Sequence, residues 1–181
     1  MKNLEQTIGG GEHQVSISDR LKQKNLELLI EQNHLMSYFI PSNESPQKIR
    51  SIIISAEKEL GVRIPNSYVW FLIKYGQGGP KEIEGMTKQK TLSFVNETKN
   101  YRKYGLPFNL IPISGDGESM DCLDSSTGAV VNWGMDRAGV VHCFSNFYDY
   151  LSKLILECLN DPSFSNNNLS NEEKPIQGEL F

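Results

Sequence analysis

Four carboxylates, Asp116, Glu118, Asp121 and Asp124, form the densest group of chemistry-bearing side chains in the 181-residue sequence. Acids at such short spacing serve general acid–base catalysis, glycoside hydrolysis and calcium ligation. The calcium reading fails, because no glycine or terminal glutamate falls at the places a calcium loop requires. Turn chemistry brackets the group, with Ser114-Gly115-Asp116-Gly117 before it and Ser125-Ser126-Thr127-Gly128 after it. The plain reading is therefore solvated turn acids. The functional reading is a protein-facing row, in which Asp116, Glu118 and the solvent side of Met120 alternate outward along an antiparallel strand. Such a row would meet lysines and arginines on a basic partner.

The remaining candidates for chemistry are sparse. Three histidines, His13, His34 and His142, lie far apart, and neither H-E-x-x-H nor paired cysteines are present. No metal site and no cofactor are expected from such spacing. His142 and Cys143 are adjacent, but neighbours on an extended strand point to opposite faces. A nucleophilic dyad would need a partner from elsewhere, such as His142 with Cys122. Ser55-Ala56-Glu57-Lys58 fits S-x-x-K, yet neither S-D-N nor K-T-G completes it, so it reads as a helix surface. Gly76, Gly78 and Gly79 precede Pro80 and no G-K-[ST], which makes them a helix stop and not a phosphate loop. Trp70 and Trp133 sit among apolar neighbours and read as core packing ahead of interface anchors. No catalytic residue is expected, and the chain is read as a binding protein rather than an enzyme. The enzymatic alternative is a small hydrolase using His142 or the acid group.

Composition sets bounds on partners. Hydrophobic residues make up 38% and charged residues 22% of the chain, the balance of an ordinary globular domain. The apolar run 69–73 is far short of the ~20 residues that cross a bilayer. The first residues lack the apolar core of a secretory signal, and three cysteines, Cys122, Cys143 and Cys158, show no paired spacing. A cytosolic protein with small buried thiols is the expectation. The net charge of −4 hides an asymmetry: residues 1–113 carry a net +4, residues 114–181 a net −8. Five acids and no base fall within 114–136. An acidic face repels nucleic-acid phosphates and suits a basic protein.

The elements that position these residues follow from period and punctuation. Residues 1–18 read as a flexible leader, with Ser18 as N-cap of a first helix striped by Leu21, Leu28, Leu29 and Leu35. Residues 36–40 are a strand or a link. Ser45-Pro46 opens a second helix on Ile49, Ile52, Ile53, Ala56 and Leu60, stopped by Gly61 in the left-handed region. Pro65 presets the first turn of a third helix, on which Tyr68, Phe71, Leu72 and Tyr75 form one apolar stripe. Val69, Trp70 and Ile73 widen that stripe until the helix must be buried on several sides; Gly76 ends it. Residues 83–86 read as a small edge strand and 91–104 as a short helix. Strands follow at 108–113, 119–123 and 129–133, joined by tight turns as an antiparallel meander. A closing helix carries Phe144, Phe147, Tyr148, Leu151, Leu154, Ile155 and Cys158, and residues 161–181 form a polar tail. The fold class is α+β: one domain at 19–160, with helices packed on a small antiparallel sheet and a C-terminal closing helix.

The stretch through the third helix also carries a resemblance. Glu57, Leu60 and Gly61, then Ile64, Pro65 and Tyr68, then Phe71, Leu72, Tyr75, Gly76, Gly78 and Gly79 resemble the SUKH superfamily pattern. That resemblance implies an α+β domain that binds and neutralises a cognate bacterial toxin, often a nuclease, by stoichiometric contact. The superfamily also includes a fungal regulator of cell-wall synthesis, so an intracellular regulatory scaffold is the alternative. Where members commonly read A-D-S-F-x-E-F before the last helix, this chain has Val141-His142-Cys143-Phe144-Ser145-Asn146-Phe147, keeping the aromatics and losing the acids.

Overall fold

A computed structural model of the protein describes residues 16–116, 118–135 and 140–162. Helix α1 (Ile17–Gln32) opens on Ser16, whose hydroxyl accepts the Asp19 N–H at 3.0 Å. The cap lies two residues before the expected Ser18. α1 buries Leu26 and Ile30, whereas Leu21 and Leu28 stand 58% and 42% exposed. Of the leucine stripe read from the sequence, Leu29 and Leu35 reach the core and Leu21 and Leu28 do not. A 3₁₀ turn (Leu35–Tyr38) then leads into a two-residue strand, β1 (Phe39–Ile40).

Helix α2 (Pro46–Leu60) is capped by Ser45, which accepts the Lys48 N–H, and ends on Gly61 at φ 72°. Its isoleucine run is helical, with Ile53 in the core and Ile54 outside. A carboxylate oxygen of Glu57 accepts the Ile64 N–H at 2.8 Å and fixes the link to the next helix. Pro65 stands in the cap position of α3 (Asn66–Lys74), one place before the first turn that its sequence signal suggests.

α3 is the buried centre. Tyr68, Phe71 and Leu72 have no exposed surface and Tyr75 has 1%. Ring centroids around Tyr68 lie 5.7 Å away for Phe71, 5.7 Å for Phe94 and 5.0 Å for Phe147. The Tyr68 hydroxyl donates to the Glu84 carbonyl, so burial of the phenol costs no unpaired polar group. Trp70 is half-buried, its indole edge-on to Tyr75 and Tyr148 at 5.4 Å each.

The glycines after α3 do more than stop a helix. β2 (Gln77–Gly78) pairs antiparallel with β1, and a Cβ at Gly76 would lie 2.3 Å from the Ile40 carbonyl oxygen. Gly76 also has φ 73°, so close backbone crossing and left-handed conformation coincide there. Residues 83–86 form isolated bridges and not a strand, while the Glu84 N–H donates to the Ile113 carbonyl at 2.8 Å. Helix α4 (Ser93–Arg102) follows.

The meander has four strands where the sequence suggested three: β3 (Leu110–Asp116), β4 (Ser119–Asp124), β5 (Val130–Trp133) and β6 (Val141–Phe144), in that order and antiparallel throughout. Phe144 therefore ends a strand and does not begin the closing helix. α5 (Phe147–Asn160) is capped by Asn146, which accepts the Asp149 N–H at 3.0 Å. One sheet face sends Ile111, Ile113, Leu123 and Val130 into the helical core; the other packs Leu110, Met120, Cys122, Val131 and Trp133 under Leu106 and Tyr101. The domain is α+β, with helices against a small antiparallel sheet and a C-terminal helix.

Two substitutions test this centre by urea denaturation. Tyr68→Phe should lower unfolding free energy by about 1–2 kcal/mol through the unpaired Glu84 carbonyl, and Tyr68→Ala by about 3–5 kcal/mol. Equal loss for both would contradict a separate role for the hydroxyl.

Candidate functional site

The strand geometry disperses the four acids. Asp116 and Glu118 are exposed at the β3–β4 turn, where the Glu118 N–H donates to Asp116 Oδ1 at 3.1 Å. Asp124 lies at the opposite end of the six-residue β4, about 17 Å from its start at strand rise. Its Oδ1 accepts from Asn109 Nδ2 at 2.9 Å and from the Ser126 N–H at 2.8 Å. Burial alone would raise its pKa, but the hydrogen bonds from Ser126 and Asn109 together outweigh that and hold the carboxyl below the usual range. Asp124 is a turn acid.

Asp121 points inward. It is 7% exposed and accepts from Lys81 Nζ at 2.5 Å, the Tyr150 hydroxyl at 3.0 Å and Asn132 Nδ2 at 3.1 Å. Burial first, then the Asp121 charge, drives the Tyr150 phenol far above its ordinary value. This network pins the segment after Pro80 and α5 to the middle of the sheet. Met120 has 1% exposure, so the outward row through it does not form. A bulge in the β3–β4 register between Pro112 and Ser114 shifts the pairing of the residues that follow.

What the fold assembles instead is an acidic surface from three separate segments. Glu97 on α4 has its carboxyl raised above the usual range, by burial first and then by the neighbouring Glu84 charge. Tyr101, one turn further along α4, is raised by burial, then by Glu97 and Asp116. Glu97 and Asp116 thus lie near Tyr101 and Glu84 near Glu97, with Glu118 beside Asp116, while Lys103 and the 67% exposed Tyr104 border the same patch on the α4 side. Glu84 and Glu97 lie nineteen and more residues from the acids noticed in the sequence; a contact of α4 with β3 and the Glu84 N–H bond to Ile113 bring them near. Their only advance signal was the acid content of the loop and helix. Aromatic rings bordered by carboxylates are suited to a basic protein surface.

The nucleophile alternatives are geometrically separate. Cys122 pairs with Val131 and Val131 with His142, which puts the thiol and imidazole two strands apart, or about 10 Å. Burial, and then Asp121, pushes the Cys122 thiol up to about 12. Cys143 is exposed, contrary to the expectation of a buried thiol, because the β5–β6 register shifts and β6 forms an edge of the sheet. Trp133 is 5% exposed and packs edge-on to Tyr101, as core packing. Gly61, Pro65, Tyr68, Trp70, Phe71, Leu72, Tyr75 and Gly76 all serve the corner that buries α3. Among the described residues, no group of three or more His, Cys, Asp or Glu could hold a metal ion, and no helix is long and apolar enough to cross a membrane.

Glu97 gives a pH test. Burial first and then the Glu84 charge raise its pKa in the folded state, so the native chain holds this proton more tightly than the unfolded chain, and stability falls as pH rises through and above the ordinary carboxylate range. Glu97→Gln should raise the melting temperature at pH 7 by about 1–2 °C and lose that advantage as the pH falls below the ordinary carboxylate range, where Glu97 is protonated in both the folded and the unfolded chain. A stabilisation that is the same at pH 7 and below that range would contradict charge as its cause.

The structural corner and the glycine crossing lie inside a family match. The SUKH_5 family model, described as SMI1-KNR4 cell-wall, matches residues 26–156, from within α1 to within α5. With that match covering most of its length, the chain belongs to the SUKH superfamily, in the SMI1-KNR4 family.

Proposed function

We propose that the protein is an immunity protein that neutralises a cognate bacterial toxin by one-to-one binding. It does so through the surface formed by Glu84, Glu97, Asp116 and Glu118 around Tyr101, with no catalytic role of its own. The observation that carries the reading is Glu97, a half-buried carboxylate on α4 raised by burial first and then by the neighbouring Glu84 charge. A carboxylate held where burial and a like charge oppose it costs stability, a pattern common at binding sites. The partner this surface suits is basic. A nuclease fits, because its substrate cleft must attract phosphate and so presents positive charge to a blocking protein. The site of action is the cytoplasm of the toxin-producing cell. The family's cell-wall designation supports a second reading, a regulatory scaffold for cell-wall synthesis, which would bind host proteins in place of a toxin.

Co-expression with the toxin encoded beside it tests the proposal. Growth should be rescued and the two chains should co-purify in equal amounts. Glu97→Lys combined with Asp116→Lys should weaken the complex by about 100-fold or more, at roughly tenfold per reversed contact. Absence of rescue and co-purification would end the immunity reading. Turnover of an ester, phosphodiester or glycoside by the purified protein, abolished by His142→Ala, would replace it with an enzyme.

A further inference from the structure

Helix α1 carries an aliphatic line on the side turned away from the domain. Ile17, Leu21 and Leu28 are 80%, 58% and 42% exposed, and their spacing of i, i+4 and i+11 puts them on one face. The core takes the opposite side of the helix, through Leu26 and Ile30. One exposed leucine is ordinary, but three aliphatic side chains in line on a regular helix form a face without a cover.

The charges beside this line are placed with the same regularity. Arg20 and Glu31 lie eleven residues apart, about three helical turns, so they share one flank of the line. Lys24 stands between them on that flank, and all three are exposed. The other charges of α1 are committed: Asp19 accepts from the Ser16 hydroxyl, Lys22 pairs with Asp149 at 2.7 Å, and Glu27 with Lys74 at 3.4 Å. Arg20, Lys24 and Glu31 enter no ion pair or side-chain hydrogen bond among the described residues. Burial first, then Glu27 and Glu31, oppose ionisation of the Tyr75 phenol, which stays neutral and leaves the Glu31 charge unmatched.

We propose that this face binds the same face of a second copy, with the two α1 helices antiparallel about a two-fold axis. Like flanks meet in that arrangement, so Arg20 stands opposite Glu31 of the second copy and symmetry forms the reverse pair. The register that matches these charges also brings Leu21 within two residues, about 3 Å along the helix, of Leu28 of the second copy. Lys24 lies next to the axis, with Lys24 and Glu27 of the second copy both in reach, a repulsion and an attraction that oppose each other. Charge selects the occupant. An antiparallel helix seated here must carry an acid opposite Arg20, a base opposite Glu31 and aliphatic residues between them, and α1 is itself such a helix. A parallel pairing would set Arg20 against Arg20 and Glu31 against Glu31. The sixteen residues of α1 span about 24 Å, so the contact falls short of the roughly 800 Å² per partner of a standard interface and the dimer is weak.

Sedimentation equilibrium of the full chain, from about 5 to about 500 μM, tests the pairing through a dissociation constant expected on the order of 10–100 μM at low salt. Leu21→Asp and Leu28→Asp should each weaken the dimer by about tenfold or more. Arg20→Glu and Glu31→Arg should each weaken it by about threefold or more, and the two on one chain should restore the parent affinity to within about twofold. Both charge reversals agree with the helix dipole and both leucines are exposed, so an unchanged melting temperature certifies the fold of each variant. Glu97→Lys with Asp116→Lys should leave the dimer as it was, which keeps this test separate from the toxin reading. A monomer throughout the range, a dimer that ignores both leucine substitutions, or a charge swap that fails to restore affinity would overturn the proposal. A dimer unchanged by Arg20→Glu would overturn it too, in favour of another face or a parallel pairing.

Discussion

The Tyr68 side chain joins more of this structure than any other group. Its ring sits among Phe71 of the same helix, Phe94 of α4 and Phe147 of α5, and its hydroxyl ends on the Glu84 carbonyl. One side chain thereby fixes three helices and the segment that follows the glycine loop. Burial, then the Glu84 charge, holds the phenol far above its ordinary ionisation range, so it stays a donor at any physiological pH. The consequence reaches the surface. Glu84 is held through its carbonyl by Tyr68 and through its N–H by Ile113 on β3. Its carboxylate is therefore presented beside Glu97 by backbone constraints, not by its own side-chain contacts.

Two further constraints keep the helical and sheet halves in register. The crossing of residues 38–42 over Gly76 and Gly78 allows no Cβ at either glycine, which locks the exit of α3 against β1. On the other side, Asp121 collects Lys81, Tyr150 and Asn132, tying the glycine-loop exit, α5 and β5 to the centre of β4. A buried carboxylate with three donors is satisfied; removing Lys81 would leave its charge uncompensated, and removing Tyr150 or Asn132 would leave an acceptor unmet. One of the four acids read from the sequence as a partner surface is thus a fastener of the fold. The acids left for a partner are those that the fastener and the crossing hold in place from separate segments.

Much of this was legible in the sequence because local signals and burial agreed. Ser45-Pro46, Gly61 and the isoleucine spacing define α2 without tertiary help, and the Tyr68 to Tyr75 stripe marks α3 as central. Legibility failed where tertiary contacts decide. Leu21 and Leu28 have the right type for a core face, yet α5 and the 3₁₀ turn meet α1 on the Leu26–Ile30 side. β6 is short and exposed, and its Val-His-Cys-Phe run lacks an alternating pattern, so it merged with the following helix. The role of Asp121 depends on Lys81 and Tyr150, which distant segments bring to it. The acidic surface joins α4, β3 and the loop after Pro80, and no spacing within one segment encodes such a meeting.

Native-state hydrogen exchange of the α3 amides tests the central claim most directly. If the Tyr68 cluster is the joint on which the other elements depend, the amides of Phe71, Leu72 and Tyr75 exchange only through global unfolding. Their opening free energy then equals the stability measured by urea and falls by the same amount in Tyr68→Phe. Exchange of those amides through local opening, while α1 and β4 stay protected, would contradict a core built on that side chain.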